Sequence, residues 1–242
     1  MTKKNVLVTG ASRGLGLAIA RVLVHSGYKV IAISRRGSSE LDELCAANPE
    51  VAFSELHDLS LLGKISELVR RITTRHGRLY GLVNNAALGS NGVLSTMHDS
   101  EIIECIQTNL TSSIFLSKYA ARSMLLNREG RIINISSIIA TTGFNGLSVY
   151  AASKAGLVGF TRSLAREVGK AGITVNCVAP GYMQTDMTSA LQGEKLEAIK
   201  RRSPLGRLAT VEDAASAVLY LLGPQGTAVT GTTVTVDAGS TA

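Results

Sequence analysis

Residues 5–16 read NVLVTGASRGLG, and this stretch decides the fold that the sequence predicts. Asn5 to Thr9 form a short apolar run of the kind that makes a buried strand. A glycine-rich turn follows directly, and an apolar-periodic helix then extends to about Ser26. This order is typical of dinucleotide-binding folds, because glycines let the backbone turn and approach a pyrophosphate at the helix N-terminus. A tight turn without any ligand is the alternative interpretation.

The same turn also fits a second motif, the G-x-S-x-G nucleophile elbow of α/β-hydrolases, with Ser12 as nucleophile. That motif requires an acidic residue and then a histidine further along the chain. The four histidines are His25, His57, His76 and His98, so none lies in the C-terminal part of the chain after residue 98. The sequence therefore does not support a hydrolase.

The second predicted strand, Lys29 to Ser34, ends in Arg35 and Arg36. An acidic residue about 20 positions after the glycines binds the ribose 2′-hydroxyl of NAD, whereas an arginine accommodates the 2′-phosphate of NADP. Arg13, inside the glycine turn, can add another positive charge. NADP(H) is therefore the expected cofactor, and two solvated arginines after a strand are the alternative.

The rest of the chain alternates helices and strands, which predicts a Rossmann-type doubly wound sheet of about seven parallel strands with helices on both faces. The chain of 242 residues is long enough to form one α/β domain over 1–242. The segment 182–202 is charged and is expected to form a lid over the cleft. The later segments are helices at Ser39–Ala47, Ser60–Arg75, Ser100–Asn127 and Val211–Leu222, and strands at Val51–Leu56, Leu79–Val83, Ile173–Ala179 and Thr232–Val236.

Composition excludes several classes of protein. The net charge of +7 favours anionic ligands or acidic partners. The sequence contains no basic helix interleaved with aromatic residues, so nucleic-acid binding is not expected. No apolar run reaches the ~18 residues that a membrane-spanning helix needs, and no signal peptide is expected. The cysteines and histidines lack metal-ligand spacing, so we expect no metal site. Cys45, Cys105 and Cys177 are expected to be reduced thiols of a cytoplasmic protein.

A second informative stretch runs from Arg131 to Lys154 and reads RIINISSIIATTGFNGLSVYAASK. An Ile-rich strand stops at Ser136 and Ser137, and a helix with small residues follows a loop. Tyr150 and Lys154 are four residues apart, so they share one face of this helix with roughly 6 Å of axial rise between them. Open α/β sheets place ligands at the carboxyl ends of their strands, where Ser137 is expected.

The pairing of Tyr150 with Lys154 has a chemical consequence. At about 4 Å and an effective dielectric constant near 20, an ammonium group favours a phenolate by on the order of 4 kcal/mol. This corresponds to a pKa that is lower by about three units, so the phenol is expected to titrate closer to neutral pH. Such a tyrosine can act as a general acid or base. The alternative is an exposed helix face on which both side chains extend into water.

Taken together, these motifs resemble those of the short-chain dehydrogenase/reductases along essentially the whole chain, and among them the 3-oxoacyl-[acyl-carrier-protein] reductases. The motifs that carry the resemblance are Thr9-Gly10-x-x-x-Gly14-x-Gly16, Asn84-Asn85-Ala86, Asn109, Ser137, Tyr150-x-x-x-Lys154 and Pro180-Gly181-x-x-x-Thr185.

The resemblance implies four catalytic residues. Tyr150 would donate a proton to a substrate carbonyl, and Lys154 would lower the pKa of Tyr150 and hold the nicotinamide ribose. Ser137 would donate a hydrogen bond to the carbonyl, and Asn109 would support a water in a proton relay to Lys154.

The resemblance also implies an NADP(H) site and a homotetramer. Asp58 and Leu59 would flank the adenine, although Asp58 is equally suited to cap the following helix. The complete set of expected cofactor-binding residues is Gly10, Ser12, Arg13, Gly14, Leu15, Gly16, Arg35, Arg36, Asp58, Leu59, Asn85, Ala86, Tyr150, Lys154, Pro180, Gly181, Met183 and Thr185.

The chain departs from the family pattern at two positions. Ala87 replaces the glycine of Asn-Asn-Ala-Gly, so we expect a crowded loop and a modest change in cofactor affinity. Ala238 stands at the first glycine of the Val-Asp-Gly-Gly motif that is common in the family, and we expect this change to alter how the C-terminal tail fits at the subunit interface.

The expected function is NADPH-dependent reduction of a 3-oxoacyl thioester. Its acyl-carrier protein would meet a basic surface beside the cleft at Arg128 and Arg131, and Lys170 is adjacent to Ala171, where another basic residue is expected. Lys195, Lys200, Arg201 and Arg202 in the lid segment can supply the charge instead. The alternatives are reduction of a free ketone, sugar, steroid or quinone-like carbonyl, and a non-catalytic NADP-sensing protein.

Overall fold

A computed structural model of the chain describes residues 3–89, 92–184 and 194–242. The strands are β1 (Asn5–Thr9), β2 (Lys29–Ser34), β3 (Ala52–Leu56), β4 (Leu79–Asn84), β5 (Gly130–Ile135), β6 (Ile173–Pro180) and β7 (Thr233–Val236). They form one seven-stranded sheet in the order β3-β2-β1-β4-β5-β6-β7, and every pairing is parallel. The predicted doubly wound parallel sheet is confirmed.

The helices cover both faces of the sheet. They are α1 (Gly14–His25), α2 (Ser39–Ala47), α3 (Ile65–His76), α4 (Asp99–Ile106), α5 (Ser112–Leu125), α6 (Ile139–Thr142), α7 (Ser148–Val168), α8 (Glu194–Arg202) and α9 (Val211–Leu222). Alternate strand residues point to opposite faces. Val6 and Val8 therefore pack in a core with α1, α2 and α9, whereas Leu7 packs in a second core with α3, α5 and α7.

The order of the strands places a crevice beside β1. This strand pairs with β2 on one side and with β4 on the other, so the chain reverses its winding direction at β1. Ligands of open α/β sheets bind at such a switch point, outside the carboxyl ends of the strands. The segments that follow β1, β4 and β5 carry the glycine turn, the Asn-Asn-Ala motif and Ser137 to this edge.

Two predicted helices differ from the structure. The single helix expected at Ser100–Asn127 is interrupted by a turn of π-helix at Gln107–Thr111, which separates α4 from α5. The helix expected from Ser60 begins later, at Ile65, after a 3₁₀ turn. Its start is delayed because the Asp58 carboxylate accepts a hydrogen bond from the Ser60 N–H at 2.9 Å and closes a local turn. The starts of β3 and β7 differ from the prediction by one residue, which is within normal variation.

The segment predicted to be a lid is described only in part. Residues 185–193 and the side chains of residues 195, 196 and 198 lie outside the described part of the chain. The part from Glu194 to Arg202 forms α8, and Ser203 after it donates a hydrogen bond to the backbone oxygen of Ala238. Within the described residues, no helix is both long and apolar enough to span a bilayer.

Ala238 has an unusual backbone conformation. Its φ is +56°, and Arg128 is the other described non-glycine residue with a positive φ. A side chain in the left-handed region costs about 1–2 kcal/mol. The family pattern has glycine near this position, so the departure noted in the sequence corresponds to local strain.

We expect Ala238→Gly to raise the free energy of unfolding by about 0.5–1 kcal/mol, because relief of the strain exceeds the larger entropy loss of glycine. Urea denaturation measures the difference. Gly239→Ala is the matched opposite change, since Gly239 has φ +86° and an added Cβ would lie 2.9 Å from Pro204 Cδ. Equal or lower stability of Ala238→Gly would contradict this account of the tail.

Candidate active site

The glycine turn after β1 has a conformation that requires glycine. Gly10 and Gly14 have φ values of +65° and +53°. A Cβ on Gly16 would lie 2.1 Å from the backbone oxygen of Gly10. The close approach of α1 to the end of β1 therefore depends on the absence of a side chain at Gly16.

The Asn-Asn-Ala segment after β4 is bonded to this turn. Asn85 Nδ2 donates hydrogen bonds to the backbone oxygens of Thr9 and Gly10 at 2.9 and 3.2 Å. Thr9 Oγ1 accepts from the backbone N–H groups of Asn85 and Ala86 at 2.9 and 3.0 Å. Asn85 thus ties the two loops together across the switch point, which brings the glycine turn and the Asn-Asn-Ala segment side by side.

The N-terminus of α1 is suited to an anionic ligand. Its N-cap residue, Arg13, makes no side-chain capping bond, and the first turn contains no acidic residue. By contrast, α2 and α9 are capped by the hydroxyls of Ser38 and Thr210. The first N–H groups of a helix need a partner, and a phosphate can supply it. The expected residues therefore fit a dinucleotide, with Leu15 contributing only backbone because its side chain is buried.

The expected contacts to the adenosine half lie at the ends of β2 and β3. Arg35 and Arg36 are exposed directly after β2, and Arg13 is exposed in the glycine turn. Asp58 accepts the hydrogen bond from Ser60 described above, and this bond lowers the pKa of the carboxyl group. The side chain of Leu59 is buried in the core, so only its backbone is available to flank an adenine.

Three of the four expected catalytic residues meet at the carboxyl end of β5. The Ser137 hydroxyl lies beside the Tyr150 phenol and favours the ionised form of that phenol. Lys154 lies one turn after Tyr150 on α7, with Nζ 5.6 Å from the centroid of the phenol ring. Lys154 is 2% exposed, and its ammonium donates a hydrogen bond to the backbone oxygen of Ile135 at 2.7 Å. The hydroxyls of Ser137 and Tyr150 therefore lie close to the buried ammonium of Lys154.

The pKa expected for Tyr150 is wrong. Burial raises the pKa of its phenol to about 12, and the neighbouring Ser137 hydroxyl offsets only part of this shift. Burial also lowers the pKa of Lys154 to about 8. Loss of water disfavours both charged forms, and it outweighs attraction from an ammonium that is engaged with Ile135. At pH 7 the site therefore contains a neutral phenol and a mostly charged lysine.

Asn109 lies in the π-helical turn and is fully buried. Its Oδ1 accepts from the Leu88 N–H at 2.7 Å, and its Nδ2 donates to the Leu88 oxygen at 3.0 Å. The amide nitrogen also lies 3.2 Å from Ser153 Oγ, next to Lys154. The side chain thus joins the loop after β4 to α7, while its expected role in a proton relay stays a prediction.

The remaining expected contacts lie at the end of β6 and directly after it. The Pro180 oxygen accepts from the Ile138 N–H at 3.1 Å, which ties the end of β6 to the loop that follows Ser137. A Cβ on Gly181 would lie 2.5 Å from the Cβ of Asp237, so this close approach requires glycine. Met183 packs at the edge of the α1 and α9 core. Thr185 lies outside the described residues.

The basic surface expected at Arg128 and Arg131 does not lie beside these residues. Arg131 is 5% exposed, and its Nη1 donates to the Gly130 oxygen at 2.7 Å. Its guanidinium carbon also lies 5.5 Å from the ring centroid of Tyr80. Arg128 precedes β5 whereas Ser137 follows it, so the two lie at opposite ends of a strand that is about 20 Å long. The prediction that Arg131 contacts an acidic partner is wrong, because the side chain is used inside the fold.

Sequence reasoning missed two polar neighbours of the site. Cys105 Sγ lies 3.4 Å from Asn109 Nδ2, and Ser153 Oγ donates a hydrogen bond to the backbone oxygen of Tyr150 at 2.7 Å. The four-residue spacing of Cys105 and Asn109 was a usable signal, but nothing in the sequence indicated the π-helical turn. Among the described residues, no cluster of three or more His, Cys, Asp or Glu side chains could hold a metal ion.

Comparison with known proteins agrees with this geometry. A family model described as enoyl-(acyl carrier protein) reductase matches residues 10–241. The chain is 43% identical over 238 residues to the 3-oxoacyl-[acyl-carrier-protein] reductase of Salmonella typhimurium, covering 98% of this chain and 96% of that protein. The chain belongs to the short-chain dehydrogenase/reductase family. Its relatives include the 3-oxoacyl-[acyl-carrier-protein] reductases of Escherichia coli, at 42% identity, and Chlamydia pneumoniae, at 38%, each covering 98% of this chain and at least 96% of the relative.

This short-chain dehydrogenase/reductase is an oxidoreductase, and membership of the family implies a nicotinamide cofactor. Its departure at Ala87 does not impose a left-handed backbone, since Ala87 is not among the described residues with positive φ. The effect of Ala87 on cofactor affinity stays a prediction.

The buried lysine should change stability with pH. Lys154 has a pKa of about 8 in the folded chain and about 10.4 when unfolded. Between these values the unfolded chain binds more protons, so this group's contribution to the free energy of unfolding grows as the pH rises and is lost as it falls through 8. Relative to Lys154→Met, the wild type should gain about 2 kcal/mol between pH 7 and pH 10.

Urea denaturation of both proteins at several pH values measures this gain. Lys170→Met, at an exposed position, controls for the loss of a lysine. A stability difference between wild type and Lys154→Met that does not change with pH would show that burial does not set the pKa of Lys154.

Proposed function

We propose that this enzyme reduces the keto group of a 3-oxoacyl thioester to a hydroxyl group, with NADPH as the source of hydride. The observation that carries the proposal is the placement of the Ser137 hydroxyl beside the Tyr150 phenol, with the buried ammonium of Lys154 next to the phenol ring. The 3-oxoacyl-[acyl-carrier-protein] reductases among its relatives support the choice of substrate.

The residues of the site suit an acid-assisted reduction. A substrate carbonyl oxygen that accepts from both Ser137 Oγ and Tyr150 Oη is polarised for attack at carbon. NADPH, when bound, supplies the hydride to that carbon. The electron pair of the C=O bond moves to oxygen, which takes the phenolic proton of Tyr150. A phenol with a pKa of about 12 holds this proton at neutral pH until the substrate oxygen becomes basic.

Lys154 has two parts in this scheme. Its positive charge stabilises the phenolate that remains on Tyr150 after proton transfer, because opposite charges attract strongly in a site with little water. Its pKa of about 8 keeps it mostly protonated at pH 7 and able to return a proton. It would also hold the nicotinamide ribose.

The choice of NADPH follows from charge at the end of β2. Arg35 and Arg36 stand where NAD-specific sites have an acidic residue, and Arg13 is exposed in the neighbouring turn. The proposal has four further parts. The substrate is carried by an acyl-carrier protein, and the reaction belongs to fatty acid biosynthesis. The enzyme is a homotetramer and is cytoplasmic. A non-catalytic sensor is disfavoured, because binding alone does not require the arrangement of Ser137, Tyr150 and Lys154.

Oxidation of NADPH at 340 nm with an acetoacetyl thioester tests the proposal, beside NADH and a series of free ketones. We expect rapid turnover of the thioester and a strong preference for NADPH. Turnover of a free ketone but not of the thioester would retain the catalytic residues and reject the substrate. Faster turnover with NADH would reject the cofactor.

Tyr150→Phe should reduce kcat by about 10²–10⁴-fold, since it removes the proton donor, while leaving NADPH affinity within about twofold. Stopped-flow or steady-state kinetics give the first value, and fluorescence titration gives the second. Tyr220→Phe, at an exposed position on α9, is the matched control and should behave as wild type. Carbonyl reduction by Tyr150→Phe at the wild-type rate would exclude the mechanism.

A further inference from the structure

The hydroxyl of Ser38 joins two segments that are far apart in sequence. It donates a hydrogen bond to the backbone oxygen of Ser12 at 2.5 Å and accepts one from the Leu41 N–H at 3.2 Å. The second bond caps α2. The first bond is not needed for capping, as α9 shows: Thr210 caps that helix within its own first turn.

Both joined segments carry the arginines that are expected to face a 2′-phosphate. Ser12 immediately precedes Arg13, and Ser38 follows Arg35 and Arg36 by two to three residues. The bond from Ser38 to Ser12 therefore fixes the distance between the backbone that bears Arg13 and the backbone that bears Arg35. A phosphate held by two or more cations gains most when their spacing is set before it binds.

A second observation points to a polar ligand at this place. Ser34, the last residue of β2, is 4% exposed, and its Oγ has no hydrogen-bond partner among the described residues. A buried hydroxyl without a partner is costly, and such groups usually satisfy a ligand or a water. Ser34 lies on the sheet face of Val30 and Ala32, which pack in the same core as α1.

We propose that Ser38 is a positioning residue for cofactor selection, which holds the glycine turn against the start of α2 and so sets the arginine clamp for the 2′-phosphate of NADPH. The inference rests on the proposed NADPH dependence. The pyrophosphate part of the turn has other anchors, namely the bonds from Asn85 and a bond from the Ala11 N–H to the Ile33 oxygen at 3.1 Å. Loss of the Ser38 hydroxyl therefore affects the 2′-phosphate and leaves the rest of the dinucleotide site in place.

Calorimetric titration with 2′,5′-ADP and with 5′-AMP tests this directly, because the two ligands differ only in the 2′-phosphate. Ser38→Ala should weaken binding of 2′,5′-ADP about fivefold, as expected for loss of one hydrogen bond, and change 5′-AMP binding by less than about twofold. The preference for NADPH over NADH in kcat/KM should fall by the same factor, with kcat at saturating NADPH unchanged.

Three further variants separate positioning from capping. Ser38→Thr keeps the hydroxyl and should restore the preference. Ser38→Gly lacks the hydroxyl but is tolerated at an N-cap, so it provides a folded variant if Ser38→Ala is unstable. Ser39→Ala changes the neighbouring exposed serine, whose hydroxyl bonds to Glu40, and should behave as wild type.

The outcomes for Ser38 and for the proposed function are distinct. If the wild type binds 2′,5′-ADP no more tightly than 5′-AMP, the proposed NADPH preference is wrong. If the wild type prefers 2′,5′-ADP and Ser38→Ala retains that preference in full, the positioning role is wrong. Equal weakening of both ligands would also overturn it, since that result identifies Ser38 as a helix cap alone.

Discussion

The burial of one ammonium group, that of Lys154, organises the active site. A buried charge is costly unless it is hydrogen-bonded, and Nζ meets this need by donating to Ile135 at the end of β5. The backbone of the same residue is held in turn, because Ser136 Oγ donates to the Lys154 oxygen at 2.9 Å. One bond runs from α7 to the end of β5 and the other runs back to α7, so together they fix the helix to the strand. Tyr150, one turn earlier on α7, is thereby held against Ser137.

Polar groups beneath the site strengthen this junction. Asn84 Nδ2 donates to Asn134 Oδ1 at 2.8 Å, and Asn134 Nδ2 donates to Thr161 Oγ1 at the same distance. Thr161 Oγ1 lies 3.1 Å from Cys177 Sγ. The chain of bonds runs from β4 through β5 and α7 to β6, so the central strands and the catalytic helix share one buried network. Such networks specify a unique arrangement when their members are satisfied, and in this one Asn84 Oδ1 has no partner among the described residues.

The sequence was sufficient to predict the fold and the grouping of the site, because both follow from local patterns. Periodicity placed each strand, and the spacing of Tyr150 and Lys154 on a helix placed them on one face. The π-helical turn was not predictable, since it depends on the bonds between Asn109 and Leu88, which are distant in sequence. Arg131 was misassigned because a basic residue at the start of a strand resembles a surface charge until its contact with Tyr80 is known. The prediction of a lowered pKa for Tyr150 was also wrong. A spacing along a helix shows that a cation is close, but it does not show how far both groups are removed from water.

The central claim is that burial keeps Tyr150 a neutral acid beside a charged lysine. NMR titration of tyrosine labelled with ¹³C at Cζ tests this most directly. The chain has six tyrosines, and the signal that Tyr150→Phe removes is assigned to Tyr150. The account predicts that this signal keeps the shift of a phenol up to pH 10. A phenolate that forms near neutral pH would contradict it, and would restore Lys154 as the dominant influence on the Tyr150 pKa.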